Sequence, residues 1–487
     1  MPYAAVGILS HGAYLPRLRL ARAAIAQATG WLSQAAAKRT RGERTICNWD
    51  EDSVTMAVEA GRDCLRDHPR ANVAAVTLAS TTAPFDDRSN AVLAAGALGL
   101  GKTTCTLDAG GAQRVATSSL LATLQRRRAA TDGGEELLLA ADRRLAKPGS
   151  EQEAAYGHGA AALLLGSGES LIAEFLGGAS VQADLVDHFR GRGEAFDYVY
   201  EERWIRDEGW LKLVPPTITA ALADADVEAA KVNHLVLPCP ARLAQQIAGA
   251  TGLSQAEVGD DLREGCGDIG VAQPLLLLSE RLPALRAGEI LVLCGFGQGC
   301  DALVFRATGA GSALSPRGAR PALARGKTDH EYLRFLAHCG LVEVEQGMRA
   351  ERDSRTAQSV YYRQHEALAA LVGGRCARCG TVQFPRSRAC VNPDCRAFDT
   401  QVEFPLAERR ARVKSFTEDW LAFTPNPPLV YGNLEFDVGG NLFAEFSDTA
   451  PGELAVGSEV EFAFRIKDVD RLRRHRRYFW KAVPVRH

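Results

Sequence analysis

The chain is 487 residues long, with 46% hydrophobic and 24% charged residues and a formal net charge of −2; one core does not grow to that size, so about three folding units of roughly 100–200 residues are expected. The balanced charge argues against nucleic acid as the main partner, and no apolar run approaches the roughly 18 residues of a membrane span. The opening Met1-Pro-Tyr-Ala-Ala-Val-Gly-Ile-Leu runs straight into a strand pattern rather than a leader, and twelve cysteines without a secreted-type framework read as reduced thiols, so a cytoplasmic location is expected.

In chain order, short apolar runs of β type alternate with longer Ala/Leu-rich helical stretches: Ala74–Ala79, then Asn90–Leu98, and later Glu136–Ala141, Ala160–Leu165, His234–Leu237 and Ile290–Leu293. Strands alternating with helices predict α/β layers, with sheets buried between helices. From Ala307 the composition turns small and Gly/Pro-rich, which reads as a surface linker over 307–329 closing an N-terminal domain of residues 1–306. Residues 330–372 are charged and helical in tone, a connector. Residues 373–400 form a ribbon, described next, and 401–487 are β-rich. There, alternation at Leu434–Val438, the turn Gly439-Gly440, a second strand at Leu442–Phe446 and a third at Val456–Phe462 predict a small barrel.

The ribbon is defined by Cys376-Ala-Arg-Cys379 and Cys390-Val-Asn-Pro-Asp-Cys395. Two close Cys pairs supply the four thiolates of a tetrahedral Zn²⁺, with backbone N–H groups of tight knuckles supporting the sulfurs. Disulfides are the competing reading and need an oxidising compartment. Four protein sulfurs leave no open position, so the metal's expected work is structural.

Four segments carry a resemblance: Val6-Gly-Ile-Leu-Ser-His-Gly-Ala-Tyr-Leu-Pro, Trp49-Asp-Glu-Asp-Ser-Val-Thr-Met-Ala-Val-Glu-Ala, Gly157-His-Gly-Ala-Ala-Ala-Leu-Leu-Leu-Gly and Gly295-Phe-Gly-Gln-Gly-Cys-Asp-Ala. In this order they resemble the thiolase superfamily, in the branch of hydroxymethylglutaryl-CoA synthase and the type III ketoacyl synthases. That resemblance implies a five-layered αβαβα domain. The ribbon spacing, Phe384-Pro385, Pro427-Pro428 and Asp437-Val-Gly-Gly make residues 330–487 similar to the zinc-ribbon plus OB-fold proteins that accompany enzymes acting on acyl-CoA.

The resemblance also implies where catalytic groups should stand. The nucleophilic cysteine of condensing members falls five residues after a strand-ending Asp, here Asp108, and that position is Gln113. Cys105, on the strand itself, is expected to be a buried small hydrophobe. The family His corresponds to Cys239 after Pro238, the Asn or His of a Gly-rich loop to Gly267 or Asp268, and the general-acid Glu to Thr81. No acyl-enzyme is expected, because an amide polarises a carbonyl but cannot be acylated. Cys239 and Cys266 could share a cavity, as packing thiols; Asp268 reads as a loop cap, and His158 as a buried hydrogen-bonded group. The aromatic and charged stretch from Asp187 to Trp210 is either a lid over a CoA site or, as expected here, an interface or packing element. Gly295–Gly299 reads as a tight hairpin bordering the acyl site, and the basic run Arg471–Tyr478 as either a solvated loop or an anion contact.

Two functions fit. In the first, the chain is a non-catalytic or helper subunit that binds a CoA thioester and docks on a thiolase-type catalytic subunit within a homo- or hetero-oligomer. In the alternative, it makes or breaks a C–C bond of a CoA thioester without acyl transfer, as a retro-aldolase or condensing enzyme.

Overall fold

The computed structural model describes residues 5–32, 34–129, 134–351 and 357–486. The first four residues of the expected leading strand and part of the 330–372 stretch lie outside them. The chain divides into two compact units: Met1–Cys47, Asp52–Val92 and Gly101–Phe335 make unit 1, and Asn48–Glu51, Leu93–Leu100 and Leu336–His487 make unit 2.

Unit 1 is an internal duplication that residue patterns alone do not reveal. Its first half contains β1 (Val6–Tyr14), the small strands β2 (Leu18–Ala21) and β3 (Glu43–Thr45), β4 (Val73–Ala79), β5 (Cys105–Ala109), β6 (Glu135–Arg143) and β7 (His158–Ser167). The second half contains β8 (Ala173–Gln182), the hairpin β9 (His188–Phe189) and β10 (Tyr198–Val199), β11 (Val232–Val236), β12 (Glu257–Val258), β13 (Ile290–Phe296) and β14 (Gly299–Ala307). The large strands form one sheet in the order β12-β11-β13-β14-β8-β1-β7-β6-β4-β5. In each half one strand (β4, β11) has parallel partners on both sides, and the next two (β6 and β7, β13 and β14) are antiparallel. Within the sheet, the described strands of the two halves join where Gly7 and Ile8 of β1 pair with β8.

Helices supply the remaining layers. Val115–Ala129 and Gln273–Arg281 fill the middle, where Leu120, Leu124, Leu275 and Leu276 pack with Leu163 and Leu138 of one half-sheet and Leu293 and Phe305 of the other. Ser53–Cys64 covers the outer face of the first half and Leu211–Asp224 that of the second. The result is the five-layered thiolase-like fold. Strands buried on both faces account for near-continuous apolar runs such as Leu137–Ala141.

Residues 307–329 are not a free linker. Helix Ala319–Ala324 buries Ala319 and Ala322, and β15 (Lys327–Asp329) pairs in parallel with β2. Arg317 is buried and donates to Ser10 Oγ at 3.1 Å. The small residues that suggest a linker are small because the segment lies against the core: a Cβ on Gly318 would meet Ser279 Oγ at 2.3 Å.

Unit 2 holds two sheets. The ribbon consists of β16 (Val372–Cys376), β17 (Val382–Gln383) and β18 (Gln401–Pro405) in the order β17-β16-β18. The second sheet, β19 (Ala411–Asp419), β20 (Leu429–Phe436), β21 (Asn441–Glu445), β22 (Glu459–Asp470) and β23 (His475–Pro484), runs β21-β20-β19-β22-β23. A parallel bridge between Phe446, just past β21, and Ala482 of β23 brings the two edges together as a small OB-like barrel. No helix among the described residues is long and apolar enough to cross a membrane.

Candidate active site and metal centre

β5 ends at Ala109, and Gly110-Gly111, the latter at φ +97°, turn the chain so that Gln113 stands just before the buried helix Val115–Ala129. Asp108 accepts the Asn90 and Ala91 N–H groups at 2.8 and 2.7 Å, fixing the neighbouring helix to the same strand end. Two clefts open here, and Gln113 lines both. The first, about 550 Å³, is also lined by Ser80, Thr81, Asp108 and the Gly297-Gln298 turn. The second, about 780 Å³, is bordered by Tyr156, Cys239, Asp268, Arg242, Trp210 and Phe296 among others.

The structure therefore distributes the expected site residues as follows. Thr81 lies in the first cleft, Cys239 and Asp268 in the second, and Gln113 where they meet. Gly267 borders neither; its φ of +76° and the closeness of Gly157 N, 2.9 Å from a would-be Cβ, make it a backbone crossing point. Cys266 also faces away, its Sγ at 3.1 Å from Leu262 O.

None of these groups is a free acid or base. Thr81 Oγ1 gives its proton to Asp142 at 3.0 Å and accepts a long contact, 3.5 Å, from Gln113 Nε2. Asp142 is fully buried and saturated, accepting also from Ser80, Thr82 and the Thr81 and Val271 N–H groups. Asp268 receives Arg263 Nη2 at 2.8 Å and caps its own turn through Gly270 N at 2.9 Å. Burial pushes the Cys239 thiol up to about 12, with Arg263 only partly opposing it. His158 is a buried structural group: its Nδ1 accepts from Cys47 N at 2.9 Å, which leaves Nε2–H for Arg144 O at 3.2 Å.

The cleft wall contains an ionic assembly that the sequence reading passed over. Arg144 donates twice to Asp197 Oδ2, at 3.0 and 2.7 Å, and lies 3.6 Å over the Tyr156 ring. Arg190 holds Asp197 Oδ1 at 3.0 Å and reaches Thr81 O. Burial alone would raise the Asp197 carboxyl, but Arg144 and Arg190 hold it below the usual carboxylate range. The available signal was Arg144 directly after the apolar strand β6, where a charge at the strand's end lines the site. The stretch Asp187–Trp210, expected as interface or packing, packs in part, with Trp204, Ile205 and Trp210 against the core of the second half, and also lines the clefts, through Asp187, His188, Arg190, Asp197, Ile205 and Trp210. Cys105 is exposed rather than buried, because β5 is the outermost strand of the sheet.

In unit 2 the four ribbon cysteines converge, with all Sγ atoms within 4.8 Å of one another. Zn–S bonds of about 2.3 Å place tetrahedral sulfurs about 3.8 Å apart, and the Cys376–Cys395 and Cys379–Cys390 separations are 3.9 and 3.6 Å. The knuckle is closed by Gly380 N on Cys376 O at 2.8 Å and Cys376 N on Thr381 O at 2.9 Å. These residues fit a structural zinc ion.

Fold and site together define a chain of thiolase-like fold with Gln113 lining two clefts, carrying a four-cysteine ribbon and a small barrel. Residues 366–401 match the ChsH2 rubredoxin-like zinc ribbon domain family. The chain is 25% identical over 303 residues to hydroxymethylglutaryl-CoA synthase of Aeropyrum pernix, covering 61% of this chain and 83% of that protein. A structure of hydroxymethylglutaryl-CoA synthase complexed with CoA superposes with a TM-score of 0.59 at 17% identity, covering 71% of this chain and 92% of the other. A DUF35 domain-containing scaffold protein of Methanocaldococcus jannaschii is 31% identical over 98 residues, 20% of this chain and 67% of that protein. Through that stretch the chain belongs to the DUF35 domain family.

Proposed function

We propose that this chain is a helper subunit that binds a CoA thioester in the clefts beside Gln113, forms no acyl-enzyme, and uses its ribbon and barrel to dock a thiolase-type catalytic subunit within an oligomer. The observation that carries this reading is Gln113 itself: at the head of a buried helix and lining both clefts, it offers N–H donors and no nucleophile. The larger cleft suits a nucleotide thioester in size and chemistry, with Arg206, Arg242 and Arg263 for phosphates and Trp210 and Leu243 for flat or apolar parts. Support for the ligand comes from the hydroxymethylglutaryl-CoA synthase fold neighbour that binds CoA, and support for docking from the DUF35 scaffold relative. Incubation with labelled acetyl-CoA followed by digestion tests it: no acyl adduct is expected, and a stable one on Cys239 or Cys266 overturns the reading. Condensing activity is expected only when a thiolase-type subunit is added.

The alternative, C–C bond chemistry on the thioester without acyl transfer, is favoured by one observation: Asp187 and His188 pair at 3.0 Å in the wall of both clefts.

A further inference from the structure

We infer that Trp210, stacked on Phe296, limits the acyl group of the bound thioester, so that the larger cleft takes a short acyl chain such as acetyl or butyryl and turns away a long alkyl one. The inference rests on the thioester binding proposed above and adds the class of acyl group.

The stop is built from the backbone outward. Phe296 ends β13, and the next residue, Gly297, comes so close to Gln113 that a Cβ on it would lie 3.0 Å from the Gln113 Cβ. The Phe296 side chain is thereby held next to the turn that abuts the amide. Its ring stacks on Trp210, with centres 4.2 Å apart and planes 24° from parallel. Gly209 packs its backbone on the edge of the same ring: a Cβ there would meet Phe296 Cζ at 2.7 Å and Leu185 Cδ2 at 2.8 Å. Both aromatic rings line the larger cleft. Phe296 also belongs to the core of the second half, with Leu185, Val214, Leu237 and Cys294, and Trp210 packs against that core. The stacked pair is therefore the wall between cleft and core, and a close-packed interior behind it has no space for an alkyl chain.

A local feature of the backbone delivers Trp210 to this wall. Ile205–Trp210 is a π-helical turn, closed by Leu211 N on Arg206 O, and it leads into helix Leu211–Asp224. Such turns are rare and concentrate at functional sites, and this one places Ile205, Arg206, Asp207 and Trp210 in the cleft lining.

An acyl tail leaving a carbonyl at Gln113 has one other direction, the first cleft. Leu78 and Phe85 line it, but Asp86, Asp108, Asp187 and Asp197 stand among them. A long alkyl chain there strips water from carboxylates and gives no hydrogen bond in return. A short acyl group needs neither route.

The test is calorimetric: full-length protein is titrated with acetyl-CoA, butyryl-CoA and octanoyl-CoA. The natural chain is expected to bind the two short thioesters about tenfold or more tighter than octanoyl-CoA. Trp210→Leu and, separately, Phe296→Leu, each checked for native folding by circular dichroism, are expected to shift the octanoyl-to-acetyl affinity ratio about tenfold or more towards octanoyl-CoA. Octanoyl-CoA bound by the natural chain as tightly as acetyl-CoA overturns this inference and leaves the binding proposal standing, and so does an unchanged ratio in folded Trp210→Leu. Absence of binding by all three thioesters overturns both.

Discussion

Burial pushes the Cys239, Cys266 and Cys64 thiols up to about 12. Such a group keeps its proton in the folded chain at any pH near neutrality, so it is a poor nucleophile whatever its position. The same displacement has a sign in stability: unfolded thiols ionise at their ordinary value, the unfolded state then binds fewer protons than the folded one, and stability falls as pH rises above that value. Iodoacetamide at pH 8 is expected to label the exposed Cys105 and spare Cys239 and Cys266, read by peptide mapping of the native protein. Labelling of Cys239 at the rate of Cys105 would show the thiol to be activated and reopen acyl transfer. Asp197 works in the opposite direction. Held below the carboxylate range against its own burial by Arg144 and Arg190, it contributes stability above that range and loses it as pH falls.

At the scale of elements, the ribbon was legible because its ligands are close in sequence: a Cys-x₂-Cys knuckle is a local object, and the fold only has to bring two of them together. Removal of one ligand by Cys390→Ser is expected to release about one zinc per chain to a chelator and to abolish the β16–β18 ribbon, since a sheet this small has little core of its own; metal-replete protein with less than half a zinc per chain would contradict the assignment. The barrel hairpin was legible for a similar reason, with alternation on both sides of Gly439-Gly440. The duplication in unit 1, the exposure of Cys105 and the docking of residues 307–329 were not, because each depends on which strand neighbours which, and composition does not encode neighbours. The close approach of β13 to the helix after Gln113 is likewise a tertiary fact: a Cβ on Gly295 would lie 2.0 Å from Thr117 Oγ1. Gly295→Ala is accordingly expected to cost about 1–3 kcal/mol in urea unfolding and, because Thr117 also donates to buried Asp301 at 2.9 Å, to disturb the start of the helix that follows Gln113.

For the whole molecule, the division into units does not follow the order of the chain. Unit 2 includes Asn48–Glu51, and its interior contains a charge network built on them. Lys481 Nζ lies 3.0 Å from Asp50 Oδ2 and 4.2 Å from the centre of the Trp49 ring. Arg465 spans Glu51 at 3.4 Å and Asp448 at 3.1 Å, and Ser447 donates to Asp50 at 2.9 Å. Burial alone would raise the Asp50 carboxyl, but Lys481 and Arg465 bring it below the usual range. The ribbon and barrel therefore cannot be treated as an appendage cut off near residue 335, since excision would leave Asp50 and Glu51 without their cations. Removing one member of a buried pair costs far more than removing both, because the survivor keeps its desolvation penalty without its partner. Lys481→Met is expected to lower stability by about 3–5 kcal/mol, and adding Asp50→Asn to that variant to restore a large part of the loss, whereas independent effects would simply add. The variant should also be less sensitive to acid than the natural chain, since the stability that Asp50 contributes above the carboxylate range is already gone. Urea unfolding of the four chains of this double-mutant cycle at neutral and acid pH decides it, and additivity of the two single losses would show that the network does not anchor Asn48–Glu51 in unit 2.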